Sequence, residues 1–332
     1  MPETLTVTAL VPSYLRPDSL LRCLDALAAG ERPPDELVLV LRDTDTASQE
    51  AFAAWRRRTA PAFAVKLALA TAPGQIAAMN TGLPHASGEI ICFPDDDSVP
   101  RPDWLARLLA HYADPQVGGV GGRDVVRTAP DPPTAKVIGK LTWYGRVIGN
   151  HHCEAVGGPR FVDHLKGVNM SFRRALLPPF DPNIWGPHFN DTDIALCVSR
   201  RGWKLVYDPE ARIDHYPAPR ADNPGGRDLL DPRLTFLDTH DWMYLVLKHQ
   251  PWWRRGVSAL FILLVGTRLR PGLLWLLALL PRQPRAATVR WWASLRGALA
   301  GIGSWLWPRK TTSTPIPNAG EEKGSAPPGG PS

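Results

Sequence analysis

The sequence predicts a layered α/β domain that is followed by a basic, tryptophan-rich helical segment. Through the first 125 residues, short apolar runs alternate with helical patterns, which is the arrangement of doubly wound nucleotide-binding folds. One of the apolar runs ends in three consecutive aspartates at positions 95–97. Between Asp241 and Glu321 there is no acidic residue, whereas eleven Lys or Arg occur there. The first two observations indicate the fold class, and the third separates the C-terminal segment from it.

Each element of the first half is predicted from its periodicity. Apolar runs predict strands at residues 4–12, 36–41, 64–70 and 89–93. Helical spacing of apolar side chains predicts helices at residues 17–29, 46–58, 75–83 and 102–112. A dinucleotide-binding fold would have GxGxxG after its first strand, but this chain has Pro-Ser-Tyr-Leu at positions 12–15. A dinucleotide cofactor is therefore disfavoured.

The second half carries fewer regular patterns. An extended, glycine-containing segment is predicted at 117–126. A helical pattern begins at Asn190-Asp191, and either residue is a candidate N-cap. Short strands are predicted at 203–207 and 211–214, and His215 follows the second. A histidine at a strand end is either a metal ligand or a packed imidazole, and the groups that it faces decide between the two.

The aspartate triplet is the most informative feature of the chain. Asp95, Asp96 and Asp97 follow a buried-type strand, and three adjacent carboxylates repel one another unless a cation lies between them. Oxygen ligands of this kind suit Mg²⁺ or Mn²⁺, which proteins often bind together with substrate phosphates. Ligands of open α/β sheets bind beyond the carboxyl ends of the strands, so a nucleotide-diphosphate site is predicted here. A solvated acidic turn is the alternative.

The composition limits the kind of protein. The chain has 332 residues, enough for one large domain or two modest ones, and 44% of them are hydrophobic. Its four cysteines show no CxxC spacing, which argues against a disulfide framework or a zinc site and favours a reducing cytosol. The first eleven residues lack Lys and Arg, and apolar and polar residues alternate from the start, so we interpret them as a strand rather than a secretory signal.

The C-terminal segment combines basic residues with tryptophan. Eight of the thirteen tryptophans lie in residues 242–307, a segment that also contains Leu-rich runs at 257–265 and 273–280. This composition is typical of a membrane surface with anionic lipids and unlike a nucleic-acid groove, so no nucleic-acid partner is expected. We predict helices that lie in the membrane plane or re-enter it; one tilted span over 257–280 and a helical cap on the preceding domain are the alternatives. Residues 308–332 are predicted to be a disordered tail.

Five segments of the chain stand in an order known from one enzyme family. They are Val-Thr-Ala-Leu-Val-Pro-Ser-Tyr at 7–14 with Arg16 and Pro17, residues 74–88, Asp95-Asp96-Asp97, Gly-Val-Asn-Met-Ser-Phe-Arg at 167–173, and Asn190-Asp191. With this order and spacing, residues 5–215 resemble the family 2 glycosyltransferases of the glycosyltransferase A fold. Two positions depart from the family pattern, since Asn190 stands where Glu is usual and Met79 where Arg is common.

The resemblance implies a mixed central sheet flanked by helices and an inverting transfer from a nucleotide-diphospho-sugar to a hydroxyl of a lipid-linked or polysaccharide acceptor. Mg²⁺ or Mn²⁺ would be bound by Asp97 and His215, and Asp191 would be the general base. Asp43 would contact the nucleobase, with Asp45 as the alternative. The substrate-binding residues that the resemblance implies are Pro12, Tyr14, Arg16, Asp43, Asn80, Asp95, Asp96, Asn169 and Asn190.

The same resemblance suggests how the chain is organised. The expected parts are a nucleotide-sugar-binding half at 1–125, an acceptor-binding and catalytic half of the same domain at 126–232, membrane-associating helices at 233–307, and the tail at 308–332. The active site would face the cytoplasm at a membrane surface. Two rival hypotheses are an inactive, membrane-associated binding protein of the same fold and a nucleotidyltransferase. The second lacks a basic N-terminal loop, because only Arg16 and Arg22 are available there.

Overall fold

The computed structural model describes residues 5–128, 132–218 and 231–309. Its strands are β1 Val7–Ser13, β2 Glu36–Arg42, β3 Ala64–Ala70, β4 Ile90–Pro94, β5 Ser98–Pro100, β6 Val117–Val126, β7 Thr134–Ala135, β8 Lys140–Leu141, β9 Val147–Ile148, β10 Glu154–Ala155, β11 Arg160–Val162, β12 Asn169–Arg173 and β13 Lys204–His215. Its helices are α1 Pro17–Ala29, α2 Thr46–Thr59, α3 Gln75–Gly82, α4 Trp104–Ala110, α5 Asn190–Ser199, α6 Pro232–His249, α7 Trp252–Leu260, α8 Leu273–Leu279 and α9 Pro284–Leu306.

The central sheet is mixed. Its strand order is β11-β13-β6-β12-β4-β1-β2-β3, with β5 paired to β13. Strands β1, β2, β3 and β4 are parallel to their neighbours in the first half, whereas β12 runs antiparallel to both β4 and β6. This arrangement confirms the mixed α/β fold that the sequence predicted.

The strands and helices of the first half occur where they were predicted, with ends that differ by a few residues. The clearest difference is in the second half, where the two predicted short strands are one strand, β13. A register shift between Asp208 and Arg212 interrupts its pairing with β6, and pairing resumes beyond it. The bulge explains why the sequence pattern breaks although the strand continues.

Alternating side chains of the sheet enter two hydrophobic cores. On one face, Leu37, Leu39 and Leu41 of β2 pack with α1, α2 and α4. On the other face, Val38 and Val40 pack with α3 and α5. Strands covered on both faces are apolar throughout, which is why the sequence shows continuous runs here rather than alternation. Each fully buried leucine contributes about 1.5–3 kcal/mol to the free energy of unfolding.

The C-terminal helices form a third core against the sheet domain. Side chains of α6, including Trp242 and Val246, pack with Ile184, Phe189 and Leu196 of the preceding half. Helix α9 lies close along α6 because it carries glycine at the contact. A Cβ atom at position 297 would lie 2.3 Å from the Phe236 carbonyl oxygen, and one at 301 would lie 2.4 Å from the His240 carbonyl oxygen.

The Leu-rich runs are not part of one helix. Helix α7 continues into a π-helical turn, Phe261–Val265, and then Gly266 takes a φ of +64° and pairs with Pro271 before α8 begins. Within residues 5–128, 132–218 and 231–309, none of the helices combines the length and apolarity that crossing a bilayer requires. Residues 310–332 of the predicted tail lie outside the described residues.

Candidate active site

The strand directions bring the predicted functional segments to one edge of the sheet. Strands β1 and β4 are parallel, so Ser13 and the aspartates after β4 lie at the same edge. Asn169, the first residue of β12, pairs with Pro94 at the end of β4, so the turn before β12 lies there too. Strands β6 and β13 also end at this edge, with His215 paired to Val126. We call this the active edge.

Asp96 is held by groups from the loop after β1. The Ser13 hydroxyl donates to Asp96 Oδ2 over 2.7 Å, and the Arg16 guanidinium donates to Oδ1 over 2.9 Å. Burial raises the pKa of Asp96 to about 6 in spite of the opposing effect of Arg16. Arg16 thus joins the first strand to the aspartate triplet.

Asp97 faces the end of β13. Its Oδ2 accepts a hydrogen bond from the Ala218 N–H over 2.9 Å and lies 3.5 Å from Arg16, while its Oδ1 lies 3.2 Å from His215 Nε2. Burial works in the opposite direction, but His215, the Ala218 N–H and Arg16 together lower the pKa of Asp97. The Asp97 carboxylate is therefore ionised at neutral pH.

His215 is a buried imidazole between two carboxylates. Its Nδ1 donates to Asp124 Oδ1 over 3.0 Å. Its Nε2 is buried and makes no aligned hydrogen bond in the part of the chain that the structure describes, although Asp97 is near. Burial opposes protonation, but Asp124 and Asp97 outweigh it and raise the pKa of His215 to about 9.

Asp97 and His215 suit a divalent cation. They present a carboxylate oxygen and an imidazole nitrogen to the same point, and both are ligand types that Mn²⁺ accepts. A buried ring nitrogen without an aligned hydrogen bond is costly unless a ligand completes it. The residues present at this position therefore fit the metal that the sequence predicted.

Asp191 lies in the first turn of α5. The Gly167 N–H donates to its Oδ2 over 2.8 Å, and the Thr192 N–H donates to its Oδ1 over 2.6 Å. The N-cap position belongs to Phe189, so the capping role considered for Asn190 or Asp191 is wrong. Instead, Asn190 Oδ1 accepts from the Asp191 N–H over 2.8 Å. The carboxylate is thus oriented by two backbone N–H groups.

Two predicted substrate-binding amides are occupied by contacts within the protein. Asn80 Nδ2 donates to the Phe180 carbonyl over 2.8 Å, and its Oδ1 accepts from the Phe180 N–H over 2.7 Å. Asn169, buried beneath the active edge, accepts from Trp104 Nε1 and donates to the Arg123 and Ala211 carbonyls. Both amides therefore hold backbone segments of the protein in place.

The remaining predicted residues differ in how freely they face solvent. Tyr14 and Asp43 are exposed, and Pro12 is half-buried near the end of β1. Asp45, the alternative to Asp43, is fully buried and accepts hydrogen bonds from the Leu15 and Ser48 N–H groups. The Asp95 carbonyl accepts from the Ser98 N–H and hydroxyl in the turn after β4. Asp45 is therefore a helix cap and a support for the first loop.

Two charged residues at the active edge were missed by sequence reasoning. Asp124 lies near the end of β6, is fully buried, and pairs with His215 and with Lys166. An ionisable side chain inside a glycine-rich, apolar strand was the available signal, because such a group must find a partner when it is buried. Its partner Lys166 could not be found from sequence, because the two are far apart along the chain.

A second group of metal-type side chains lies between α5 and α6. Ligand atoms of Asp193, Cys197 and His249 lie within 4.8 Å of one another. Lys248, however, also contacts Asp193 Oδ1 over 2.8 Å, and His249 Nε2 lies 2.7 Å from the same oxygen. An ammonium group on the carboxylate already balances its charge, so we interpret this group as an ionic link between the two helices.

Comparison with known proteins gives consistent results. Residues 2–224 match the sequence model described as "Glycosyltransferase like family 2". The glycosyltransferase AglE of Haloferax volcanii is 29% identical over 131 residues, which are 39% of this chain and 42% of that protein. The pre-mycofactocin glycosyltransferase of Mycobacterium tuberculosis is 40% identical over 63 residues, 19% of this chain and 13% of the relative. The chain thus matches less than half the length of each of these relatives.

Two solved structures share the fold. The mannosyltransferase PcManGT of Pyrobaculum calidifontis, solved with GDP-Man and Mn²⁺, has a TM-score of 0.53 and 18% identity, and the match covers 93% of this chain and 89% of that one. GalNAc-T7, solved with UDP, GalNAc and Mn²⁺, has a TM-score of 0.58 and 16% identity over 79% of this chain and 51% of that one. At these identities the similarity establishes a glycosyltransferase A-like fold. Since the family match covers well over half of the chain, this protein belongs to glycosyltransferase-like family 2.

Proposed function

We propose that this protein is an inverting, metal-dependent glycosyltransferase that uses a nucleotide-diphospho-sugar. The observation that carries the proposal is the pairing of Asp97 with His215, whose buried Nε2 faces the carboxylate at the active edge. Both structurally similar enzymes were solved with Mn²⁺ and with a nucleotide or nucleotide-sugar. A divalent cation at Asp97 and His215, either Mg²⁺ or Mn²⁺, would neutralise the charge that develops on the leaving nucleotide diphosphate.

The protein's own groups would position the donor. Arg16 is a cation within reach of two carboxylates, and it would keep Asp96 and Asp97 in place before the donor arrives. Asp95 and Asp96 are assigned to the ribose side, and the exposed Asp43 is assigned to the nucleobase. These assignments rest on the position of each residue at the carboxyl ends of β2 and β4, where ligands of such sheets bind.

Asp191 is proposed as the general base. It would remove the proton from an acceptor hydroxyl as the oxygen attacks the anomeric carbon from the face opposite the leaving group. One such displacement inverts the anomeric centre. The Gly167 and Thr192 N–H groups hold the carboxylate in one orientation, which is what a positioned base requires.

The acceptor is proposed to be a lipid-linked or polysaccharide intermediate at the cytoplasmic face of a membrane. Helices α7 and α8 expose large apolar side chains, among them Trp252 with 76% and Trp253 with 60% of its surface. Residues 242–309 contain basic residues and no Asp or Glu. Exposed Trp and Leu in a segment that is rich in Arg and has no acidic residue of its own favour binding to an anionic lipid surface.

Calorimetric titration with a panel of nucleoside diphosphates and the corresponding triphosphates, with and without Mn²⁺, tests the donor site. We expect one nucleotide to bind only with Mn²⁺, and Asp97→Asn to remove that binding. Absence of binding to every nucleotide would instead support a non-catalytic scaffold, and preference for triphosphates would support a nucleotidyltransferase. Transfer itself is then measured as metal-dependent loss of the matching nucleotide-sugar.

A further inference from the structure

Asp124 is a buried charge for which the proposed reaction gives no role so far. Its side chain is fully buried near the carboxyl end of β6. Isolated burial of a carboxylate is strongly unfavourable, so the fold must compensate it. The compensation comes from an ion pair with Lys166 and a hydrogen bond from His215 Nδ1. Both partners lie at the active edge.

The hydrogen bond to Asp124 determines how the imidazole is presented. With Nδ1 committed to Asp124 Oδ1 at 3.0 Å, the ring directs Nε2 towards Asp97. Metal-binding histidines commonly donate their second ring nitrogen to a carboxylate, which fixes the ring and increases its basicity. His215 has this arrangement, because its Nδ1 donates to Asp124 and its Nε2 faces Asp97.

Lys166 connects the same network to Asp191. It begins a tight turn in which its carbonyl accepts from the Asn169 N–H over 3.0 Å. The next residue, Gly167, donates its N–H to Asp191 Oδ2 over 2.8 Å. A Cβ atom added at position 167 would lie 3.4 Å from the Asp191 Cβ, so the turn passes close to the side chain that carries the carboxylate. One turn therefore contacts Asp124 through a side chain and Asp191 through the backbone.

We propose that Asp124 and Lys166 are a positioning pair. Asp124 fixes the orientation of the His215 ring so that Nε2 faces the metal, and Lys166 anchors the turn whose Gly167 N–H holds Asp191. This inference rests on the proposed function and extends it to two residues outside the family motifs described above. It predicts that loss of either partner weakens one defined step. Loss of Asp124 weakens metal binding, and loss of Lys166 lowers the rate of transfer.

Mn²⁺ binding to the full-length protein tests the Asp124 half, measured by the electron paramagnetic resonance signal of free Mn²⁺. In Asp124→Asn we expect affinity to fall about 10- to 100-fold, as when the carboxylate partner of a ligand histidine is removed. Asp208→Asn is the matched control, because Asp208 is also buried and pairs with His111 over 2.8 Å. Its Mn²⁺ affinity should stay within about twofold of wild type, since Asp208 touches neither Asp97 nor His215.

Steady-state kinetics tests the Lys166 half. Lys166→Met should lower kcat by about tenfold or more through misplacement of Asp191, while the affinity for Mn²⁺ and nucleotide stays within about twofold. Lys166→Arg retains the charge beside Asp124 and should recover most of the rate. Because Lys166 is partly exposed, this pair of variants also tests the inference if Asp124→Asn does not fold.

The possible results separate the two proposals. Wild-type protein that binds no Mn²⁺ would overturn both the proposed function and the positioning pair. Normal Mn²⁺ affinity in Asp124→Asn, with wild-type binding intact, would overturn the role of Asp124 and leave the proposed function standing. Equal turnover in Lys166→Met and wild type would overturn the role of Lys166 and would also leave the proposed function standing.

Discussion

Two buried histidines make the same contact through Nδ1 and differ in the contact made by Nε2. His215 at the active edge and His240 in α6 each donate Nδ1 to a buried aspartate, Asp124 over 3.0 Å and Asp241 over 2.7 Å. His240 Nε2 then pairs with the Ser304 hydroxyl over 2.8 Å. His215 Nε2 makes no aligned hydrogen bond among the described residues.

The difference separates a structural network around His240 from the proposed metal site around His215. Around His240 the polar atoms are paired, since Asp241 also accepts from the Trp185 and Gly186 N–H groups. Its ring stacks on Trp185 with centroids 3.6 Å apart. Such a network joins α6, α9 and the 185–186 segment and needs no ligand. A buried nitrogen that lies beside a carboxylate without an aligned hydrogen bond is suited to a ligand.

The largest effect should come from removing the proposed base. Asp191→Asn keeps the size of the side chain but cannot accept the acceptor's proton, so we expect kcat to fall about 10²- to 10⁴-fold. Metal-dependent nucleotide binding should stay within about twofold, because Asp191 contacts neither Asp97 nor His215. Turnover of the nucleotide-sugar and calorimetry measure the two quantities.

Asp97→Asn is the matched variant on the donor side of the active edge. It should lose Mn²⁺-dependent nucleotide binding, which Asp191→Asn retains. If both variants lost binding to the same extent, the two carboxylates would not have separate roles. Equal activity of Asp191→Asn and wild type would exclude Asp191 as the base.

The two histidines themselves provide the next test. His240→Ala leaves Asp241 buried without one of its partners, so we expect a loss of about 3–5 kcal/mol in the free energy of unfolding. His215→Ala also removes a partner from the buried Asp124, but the Lys166 ammonium still pairs with that carboxylate, so we expect a smaller loss of stability together with weaker Mn²⁺ binding. Chemical denaturation and Mn²⁺ titration of both variants measure the contrast. Similar stability losses in the two variants would remove the distinction between the networks.

A smaller effect is expected where α9 meets α6. Gly301→Ala would place a Cβ atom 2.4 Å from the His240 carbonyl oxygen, so the helices must separate. We expect a destabilisation of about 1–3 kcal/mol, as for overpacking elsewhere. Gly303→Ala is the control on the same helix, since a Cβ there meets nothing within 4 Å. It should stabilise the protein by about 0.5–1 kcal/mol through helix propensity, and equal effects of the two changes would contradict this account.

The fold was largely predictable because its signals are local. Apolar runs and helical spacing locate β1 to β4 and α1 to α4, and turn residues separate them. The bulge in β13 was not predictable, because it depends on how β6 pairs with both parts of the strand. The close packing of α6 on α9 was not predictable either, since a glycine's neighbour is decided by the tertiary structure.

The site was predictable only in part. Asp97 follows an apolar run, a pattern that can be seen in the sequence, whereas Asp191 and His215 became candidates through the family resemblance. The link between Asp124 and Lys166 joins positions 42 residues apart, and no local pattern encodes it. Asn80 and Asn169 were predicted to bind substrate, but their side-chain amides hydrogen-bond to backbone carbonyls of the protein.

The outer surface of the C-terminal helices differs from their inner surface. Towards the sheet domain, α6 buries Trp242, whose indole N–H donates to the Gly145 carbonyl over 2.7 Å. On α7, Trp252 and Trp253 are exposed and pack edge-to-face on each other with centroids 5.9 Å apart. The inner tryptophan is explained by the fold, whereas the outer pair is explained by the proposed membrane surface.

Vesicle binding tests that explanation and carries the smallest expected effect. We expect the double variant Trp252→Ala/Trp253→Ala to bind vesicles rich in phosphatidylglycerol about tenfold more weakly, because partly burying two exposed indoles favours the interface. Trp143→Ala is the control, since Trp143 is 60% exposed but lies outside these helices, and it should bind as wild type does. Replacing phosphatidylglycerol with a neutral lipid should weaken binding of all three proteins, because the basic residues then lose their partner. Equal cosedimentation of the double variant and wild type would show that the exposed pair is not a membrane contact, and the contrast between inner and outer surfaces would then need a protein partner.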